Sequence, residues 1–326
     1  MPSNLSLTDG LARVNTSFIA QWGEMMALRL AGVYQLYTQE FVGGDVKART
    51  IDWSWAGRTP LLRKWMGSRQ SQSLRVFSHS VTLEPWEATL RLNRMDVEYD
   101  PAGVVDQTIG GFVQANRPDR AYDRVSQQLF DSGTNGVGPV GYDGVPLFDA
   151  AHPFGPSAAP TQGNLGAGTN LSAASLRAAR SAGMLLRHEN GEPADINYDV
   201  LRVGPLLLDR ATELLGPNRI QSISTAGVPD ATASVVGGST IQNTMSGAMK
   251  LVVDHRRTNF YADLIDSQQE AKPMFMYIGR NLEQTSLLGM GDMPRVENNE
   301  FVWLLDADLG VTAGHYLTCY RLTGTA

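Results

Sequence analysis

The sequence predicts an α+β chain, and three observations predict it. Apolar residues recur at helical spacing over 11–41 and again over 101–131. Alternating, strand-like stretches fill 46–99 between them. An α/β succession then runs from about residue 172. At 326 residues the chain is long enough for about two domains. The lone Cys319 rules out an intrachain disulfide framework. No apolar run approaches the ~18 residues that span a bilayer, and the N-terminus lacks a basic-then-apolar signal. Membrane, disulfide-stapled and disordered classes are therefore not expected.

In the first helical stretch Leu11, Phe18, Trp22, Met26, Leu30, Tyr34, Tyr37 and Phe41 lie near a 3.6-residue period, and Gly43-Gly44 ends the run. So many aromatics near a terminus fit either a core helix or an arm on a neighbouring molecule. Over 46–99 the residues around Trp53 and Trp55 lead into a turn, Leu74, Val76 and Ser78 alternate with Arg75, Phe77 and His79, and Trp86, Ala88, Leu90 and Leu92 form a second alternation. After Asn93 the apolar set shifts by one, to Met95, Val97 and Tyr99, which predicts a bulge. The whole reads as a long β-hairpin that needs another surface to lie on, because isolated hairpins are marginal in water.

Val104, Val105, Ile109, Phe112 and Val113 mark the next helix face, and Asn116 with Pro118 restarts the helix through Val125 and Leu129. Residues 133–168 hold 9 Gly and 5 Pro and read as a loop. Beyond it, Ser172 caps a helix to about His188, Val200–Val203 is a strand, and Pro205 opens a helix closed by Gly216. Further strands are expected at Leu251–Val253, at Met274–Tyr277 and twice between Phe301 and Leu322.

Charge is unevenly spread. Residues 46–95 carry 9 basic and 3 acidic groups, whereas 96–326 carry 16 basic and 26 acidic. A basic block of this kind attracts nucleic acid or the acidic surface of another copy.

Catalytic signatures are missing. There is no phosphate-cradling or dinucleotide glycine loop, no GxSxG elbow and no HExxH pair. Three constellations deserve testing. Asp149 and His152 put a carboxylate near an imidazole, although a loop locked by hydrogen bonds explains them as well. His315 and Cys319 would face each other only on a helix, and the stretch reads as strand. Asp254-His255-Arg256-Arg257 could grip a phosphate or be a solvated strand end. The expectation is no enzyme, no cofactor and no metal.

Two stretches carry a resemblance. Trp55-Ala56-Gly57-Arg58-Thr59-Pro60-Leu61-Leu62-Arg63-Lys64-Trp65-Met66-Gly67-Ser68-Arg69 resembles the W-x-G-x-x-P-x-x-R-x-W-x-G-x-R stretch of the Mu-type phage major head protein family. Tyr142-Asp143-Gly144-Val145-Pro146-Leu147-Phe148-Asp149-Ala150-Ala151-His152-Pro153 resembles that family's YDG-to-HP loop. Tyr198–Leu215 and Lys272–Arg280 are similar to two later segments of it.

The resemblance implies the Hong Kong 97-type phage capsid fold. Its divisions would be an N-terminal arm at 1–45, an extended β-hairpin loop at 46–99, and a peripheral domain with spine helix and Gly/Pro-rich loop at 100–170. An axial domain at 171–270 and C-terminal strands returning to the peripheral domain at 271–326 would complete it. It also implies a major capsid protein that self-assembles into pentamers and hexamers of an icosahedral shell around double-stranded DNA, without sequence-specific binding and without a membrane. Scaffolding protein and portal are implied partners, and a decoration protein a further one. Because the sequence opens at Met1 almost on the arm, scaffolding is expected as a separate protein. Lys47 and Lys64 are the hairpin's only lysines, and a non-covalent shell is expected. The expected place is the virion, after assembly in the bacterial host cytoplasm. Intersubunit contacts are expected at Trp22, Trp53, Trp55, Arg58, Arg63, Lys64, Trp65 and Arg69, since aromatic and arginine side chains dominate interfaces. The alternatives are an encapsulin-like nanocompartment shell around protein cargo, a soluble α/β enzyme using the Asp149/His152 loop, and a nucleic-acid binder using the basic hairpin.

Overall fold

The structure is a computed structural model that describes residues 7–27, 32–42, 48–57, 64, 67, 76–99, 103–133, 137–154, 160–216, 219–222, 239–242, 245–289 and 291–324. The chain opens with helix α1 (Leu7–Ala27), strands β1 (Thr38–Val42), β2 (Thr50–Ala56), β3 (Val76–Thr82) and β4 (Glu84–Asn93), and helices α2 (Arg94–Glu98), α3 (Val104–Ala115) and α4 (Pro118–Ser132). Short strands β5 (His152–Pro153), β6 (Thr161–Gln162) and β7 (Leu165–Ala167) precede α5 (Ala173–Met184), β8 (Val200–Val203) and α6 (Leu208–Leu215). Then come β9 (Arg219–Ser222), β10 (Ser239–Gln242), β11 (Lys250–Val253), β12 (Tyr261–Ile265), β13 (Met274–Leu287), α7 (Met293–Asn298), β14 (Glu300–Ala313) and β15 (Cys319–Thr323).

These elements form two compact units. The first comprises Met1–Trp53, His79–Phe130 and Met274–Thr312, and the second Ser54–Ser78, Asp131–Pro273 and Ala313–Ala326.

In the first unit a four-stranded sheet runs in the order β1-β13-β14-β4. β1 lies parallel to β13, with Thr38 opposite Met274 and Val42 opposite Ile278. β14 and β4 are antiparallel, from Glu300 opposite Asn93 to Leu309 opposite Glu84. Alternate residues of β14, Phe301, Trp303, Leu305, Ala307 and Leu309, are all buried, as a strand with one face on the core requires. Phe18 of α1 is fully buried between Phe112 of α3, at 6.5 Å, and Trp303, at 6.4 Å. A side chain of that size stabilises by about 1.5–3 kcal/mol when buried.

Three expectations change here. The run 11–41 is not one helix, because α1 ends at Ala27 and Val33–Leu36 is a single 3-10 turn before β1. Tyr34 and Tyr37 are nevertheless buried, Tyr34 edge-on to Tyr122 at 6.1 Å and Tyr37 stacked on Phe130 at 4.3 Å. Successive turn and strand residues reach one core at a spacing that imitates a helix face. The hairpin is shorter than 46–99: β2 pairs with β3 alone, and β4 leaves it for β14. The phase shift after Asn93 is no bulge but α2, whose N-cap Asn93 accepts a bond from Met95 N–H. The restart at Pro118 is present, with Asn116 closing α3 and Pro118 opening α4.

In the second unit the five-stranded sheet has the order β11-β8-β12-β15-β7. β8 pairs parallel with β11 and antiparallel with β12, and β12 pairs antiparallel with β15. Ser172 caps α5 through a capping box with Ser175, and α5 ends at Met184, four residues before the expected His188. Gly216 closes α6 after the turn opened by Pro205.

The core of this unit is charged. Asp263 on β12 lies opposite Arg202 on β8 and opposite Arg321 on β15, so three neighbouring strands contribute one charge each. Arg202 Nη1 donates to Asp263 Oδ2 at 3.1 Å and to Asp131 Oδ1 at 2.9 Å, and its Nη2 donates to Asp254 Oδ2 at 2.5 Å. Arg321 Nε donates to Asp263 Oδ1 at 2.7 Å, and Arg257 bonds both Asp131 and Asp263. The guanidinium of Arg321 also covers the Phe148 ring at 3.8 Å. Burial alone would push Asp131 and Asp263 up. The arginines more than reverse it, led by Arg202 at Asp131 and by Arg257 at Asp263, and hold both carboxyls below the ordinary aspartate range. The sequence reading of Asp254–Arg257 as a phosphate grip or solvated end is overturned, because Asp254 and Arg257 are buried inside this network.

Replacing Asp263 by Asn leaves three arginines facing two carboxylates and should cost about 3–5 kcal/mol in urea unfolding. Because the carboxyl pKa values are depressed in the folded chain, the network's contribution is complete above about pH 4. It is lost as pH falls below that, since the unfolded aspartates take up protons first. A denaturation midpoint followed from about pH 7 down to about pH 3 checks the sign.

Candidate functional site

The β2–β3 ribbon is two-faced. Ile51, Trp53, Trp55, Phe77 and His79 are half-buried and Val81 is buried, while Asp52, Ser54, Ala56, Val76, Ser78 and Ser80 between them are exposed. Period-two alternation therefore puts all the aromatic side chains on one face.

In the first unit that face meets β1 and β13: the Trp53 ring lies 4.3 Å from Phe41, 5.2 Å from Phe275 and 6.2 Å from Tyr277. His79 Nε2 and Thr312 Oγ1 are 2.6 Å apart. In the second unit Trp55 packs against Phe77 at 5.9 Å, Tyr142 at 5.1 Å and His315 at 5.3 Å. These four rings, with Glu189 and Ile196 among the other lining residues, wall a cavity of about 130 Å³. Drug-sized ligands take about 300–1,000 Å³, so this one suits a single side chain at most.

Tyr142 is delivered by the Gly/Pro-rich loop. Gly141 N–H donates to Val145 O and Gly144 N–H to Gly141 O, with Gly144 at φ +79°, a turn that a side chain would strain. Asp143 Oδ1 accepts from Val145 N–H. Its other oxygen lies 2.6 Å from His152 Nδ1, and His152 Nε2 lies 3.2 Å from Asn164 Oδ1. The imidazole is buried and stacked flat on Tyr316, with centroids 3.8 Å apart.

The expected Asp149–His152 pairing is thus corrected to Asp143–His152. Asp149 instead accepts from Ala151 N–H, the nearest donor in its own turn. A histidine this enclosed reaches no substrate, which removes the ground for the enzyme reading. His315 and Cys319 are not paired either, because His315 joins the aromatic cluster while Cys319 Sγ is fully buried beside Asn164. Burial pushes the Cys319 thiol up, away from thiolate chemistry. Among the described residues no group of three or more His, Cys, Asp or Glu side chains could hold a metal ion. Also among them, no helix is long and apolar enough to cross a membrane.

Of the residues expected at subunit contacts, Trp22 is buried within its own chain and Trp53 and Trp55 are half-covered by their own aromatic neighbours. Lys64 is exposed. Arg58, Arg63, Trp65 and Arg69 lie outside the described residues.

The fold is that of the Hong Kong 97-type phage capsid subunits. The mature capsid of bacteriophage PhiM1 matches with a TM-score of 0.53 at 11% identity, over 91% of this chain and 88% of that one. In sequence, residues 42–170 match the family described as Mu-like prophage major head subunit gpT. The Mu-like prophage FluMu major head subunit of Haemophilus influenzae is 28% identical over 128 residues, 39% of each chain. The major capsid protein of Escherichia phage Mu is 29% identical over 112 residues, 33% of this chain and 34% of its own. The chain therefore spans little more than a third of the length of these curated relatives. The matched stretch holds the ribbon, α3, α4 and the Tyr142–Pro153 loop, while Tyr198–Leu215 and Lys272–Arg280 lie beyond it.

Truncating Trp55 to Ala empties one wall of the aromatic cluster. Full burial would make that cost about 3–5 kcal/mol, and a half-exposed ring should lose about half as much in urea unfolding.

Proposed function

We propose that the chain is a major head subunit of a tailed bacteriophage or prophage, assembling as pentamers and hexamers into an icosahedral shell around double-stranded DNA. The observation that carries this reading is the overlap of the family match, residues 42–170, with the two-faced ribbon and the loop that packs on it. The capsid-type fold over 91% of the chain supports it. In this reading 1–45 holds the arm, 46–99 holds the extended loop, with the β2–β3 ribbon as its hairpin and β4 returning to the four-stranded sheet, 100–170 is the peripheral domain, 171–270 the axial domain and 271–326 the returning strands. The finished protein belongs in the virion, after assembly in the host cytoplasm, with scaffolding, portal and decoration proteins as its partners and no catalytic role.

Assembly needs no single strong contact. Closed symmetry multiplies modest, repeated interfaces until the shell is stable. Residues 57–75 contain Arg58, Arg63, Lys64, Arg69 and Arg75 and no acidic residue, whereas 96–326 has an acidic excess, so the loop of one copy suits the surface of the next.

Negative-stain electron microscopy of the purified protein, with and without co-expressed neighbouring genes, tests the reading. Closed polyhedral shells are expected, and a stable monomer in both conditions would overturn it. DNA inside supports a phage head, and protein cargo would replace it by a nanocompartment. Reversing charge at Arg63 and Arg69 to Glu should abolish shells while circular dichroism of the subunit stays unchanged. An undiminished shell yield removes the hairpin contact from the proposal.

A further inference from the structure

The aromatic cavity lies wholly within the second unit, and its walls are of two kinds. Trp55 and Phe77 are nearly parallel, with 27° between their planes, and Tyr142 stands edge-on to both, at 79° and 74°. His315 closes the corner, 5.4 Å from Tyr142. All four rings are half-buried rather than sealed. The other wall carries Glu189. Among the described lining residues it is the one with a formal charge at about pH 8, where ordinary imidazoles are neutral.

Glu189 sits on a turn that the backbone fixes. Arg187 and Pro193 form a bridge, His188 N–H donates to Glu192 O at 2.8 Å, and Gly191 N–H donates to His188 O at 2.9 Å. The Gln162 side chain fastens this turn to β6 with both ends of its amide. Its Nε2 donates to Arg187 O at 2.8 Å, and its Oε1 accepts from Arg187 N–H at 2.9 Å. The charge of Glu189 is felt among the rings. Burial raises the phenol of Tyr316, which stacks on Tyr142, up to about 12, and Glu189 adds to the rise. Electron-rich ring faces beside a fixed carboxylate attract a cation. An arginine suits them best, because a planar guanidinium can stack on a ring while bonding a carboxylate.

Size agrees. A cavity of about 150 Å³ holds a benzene molecule. At about 130 Å³ this one takes a guanidinium with its last two methylenes, which has as many heavy atoms. We propose that the pocket receives an arginine from residues 58–75 of a second copy, stacked on the aromatic wall and bonded to Glu189. The inference rests on the head-subunit reading and names the place where the basic loop of one copy engages the next. Charge complementarity selects the occupant, since 58–75 contains Arg58, Arg63, Arg69 and Arg75 and no acidic residue. An apolar occupant of similar bulk would gain nothing from the carboxylate.

Two measurements separate the pocket from the assembly. The first uses the full chain at about pH 8, with ethylguanidinium as probe and ethylurea as its neutral counterpart. Tryptophan fluorescence is read against the Trp55→Phe background. A saturable change with ethylguanidinium alone is expected, about fivefold weaker in Glu189→Gln and about threefold weaker in Phe77→Leu. Equal responses to the two probes, or undiminished binding in Glu189→Gln, would overturn the proposal. The second dopes assembling natural chain with two variants, one carrying Ala271→Cys in the pocket wall and the other a cysteine in place of Arg58, Arg63, Arg69 or Arg75. A disulfide between the two kinds of chain is expected for one of these arginines. Shells with a disulfide for none of the four would overturn the second-copy occupant. If no shells form, the head-subunit reading fails and the occupant with it, while the probe still decides the pocket.

Discussion

Asp263 is the residue around which the second unit is organised. It sits in the middle strand of three and faces an arginine on each side, so Arg202, Asp263 and Arg321 are level across the sheet. A carboxylate sealed from water is tolerable only when its lone pairs are filled by donors at fixed positions. That requirement acts on register. Sliding β12 by one residue against either neighbour would turn Asp263 to the opposite face and leave two buried guanidinium groups uncompensated. Apolar residues at these three positions could match the net stability of the ion pairs, since desolvation consumes most of their attraction. They would not discriminate between registers as sharply. Asp131 and Asp254 extend the constraint to the last turn of α4 and to the chain leaving β11, so five segments of the second unit meet at one polar knot.

The first unit reaches order by a different route. Its sheet relies on alternation, with Trp303, Leu305, Ala307 and Leu309 inward and Leu304, Asp306 and Asp308 between the buried positions. Here apolar area and shape do the specifying. The ribbon uses the same device on a smaller scale, one aromatic face against one polar face, and the loop around Tyr142 completes its packing in the second unit.

Much of this could be read from the residues themselves. Helices with a clear punctuation mark, Ser172, Pro118, Gly216, begin or end at it, because caps and prolines act locally. β8 and β11 fall within a residue of the expected positions, since unbroken apolar runs in short segments have few alternatives. What escaped is what depends on distant partners. β12, Tyr-Ala-Asp-Leu-Ile, carries a carboxylate at its centre and reads as exposed until Arg202 and Arg321, 61 and 58 residues away, are known to flank it. Tyr34, Tyr37 and Phe41 keep a helical spacing while lying on a turn and a strand. Proximity in the chain pairs His152 with Asp149, whereas the loop folds back and brings Asp143, nine residues away, to its ring. Asn164, which orients that ring, carries no signal in the sequence at all.

The sealed position of Cys319 has a practical consequence for chemical labelling. The one sulfhydryl of this sequence is fully buried and burial disfavours its thiolate, so alkylating reagents find no native target while the chain is folded. Lys64 is exposed. A cysteine put in its place becomes the single reactive thiol, and a fluorophore or a cargo molecule can be attached there in defined stoichiometry without first removing the natural cysteine.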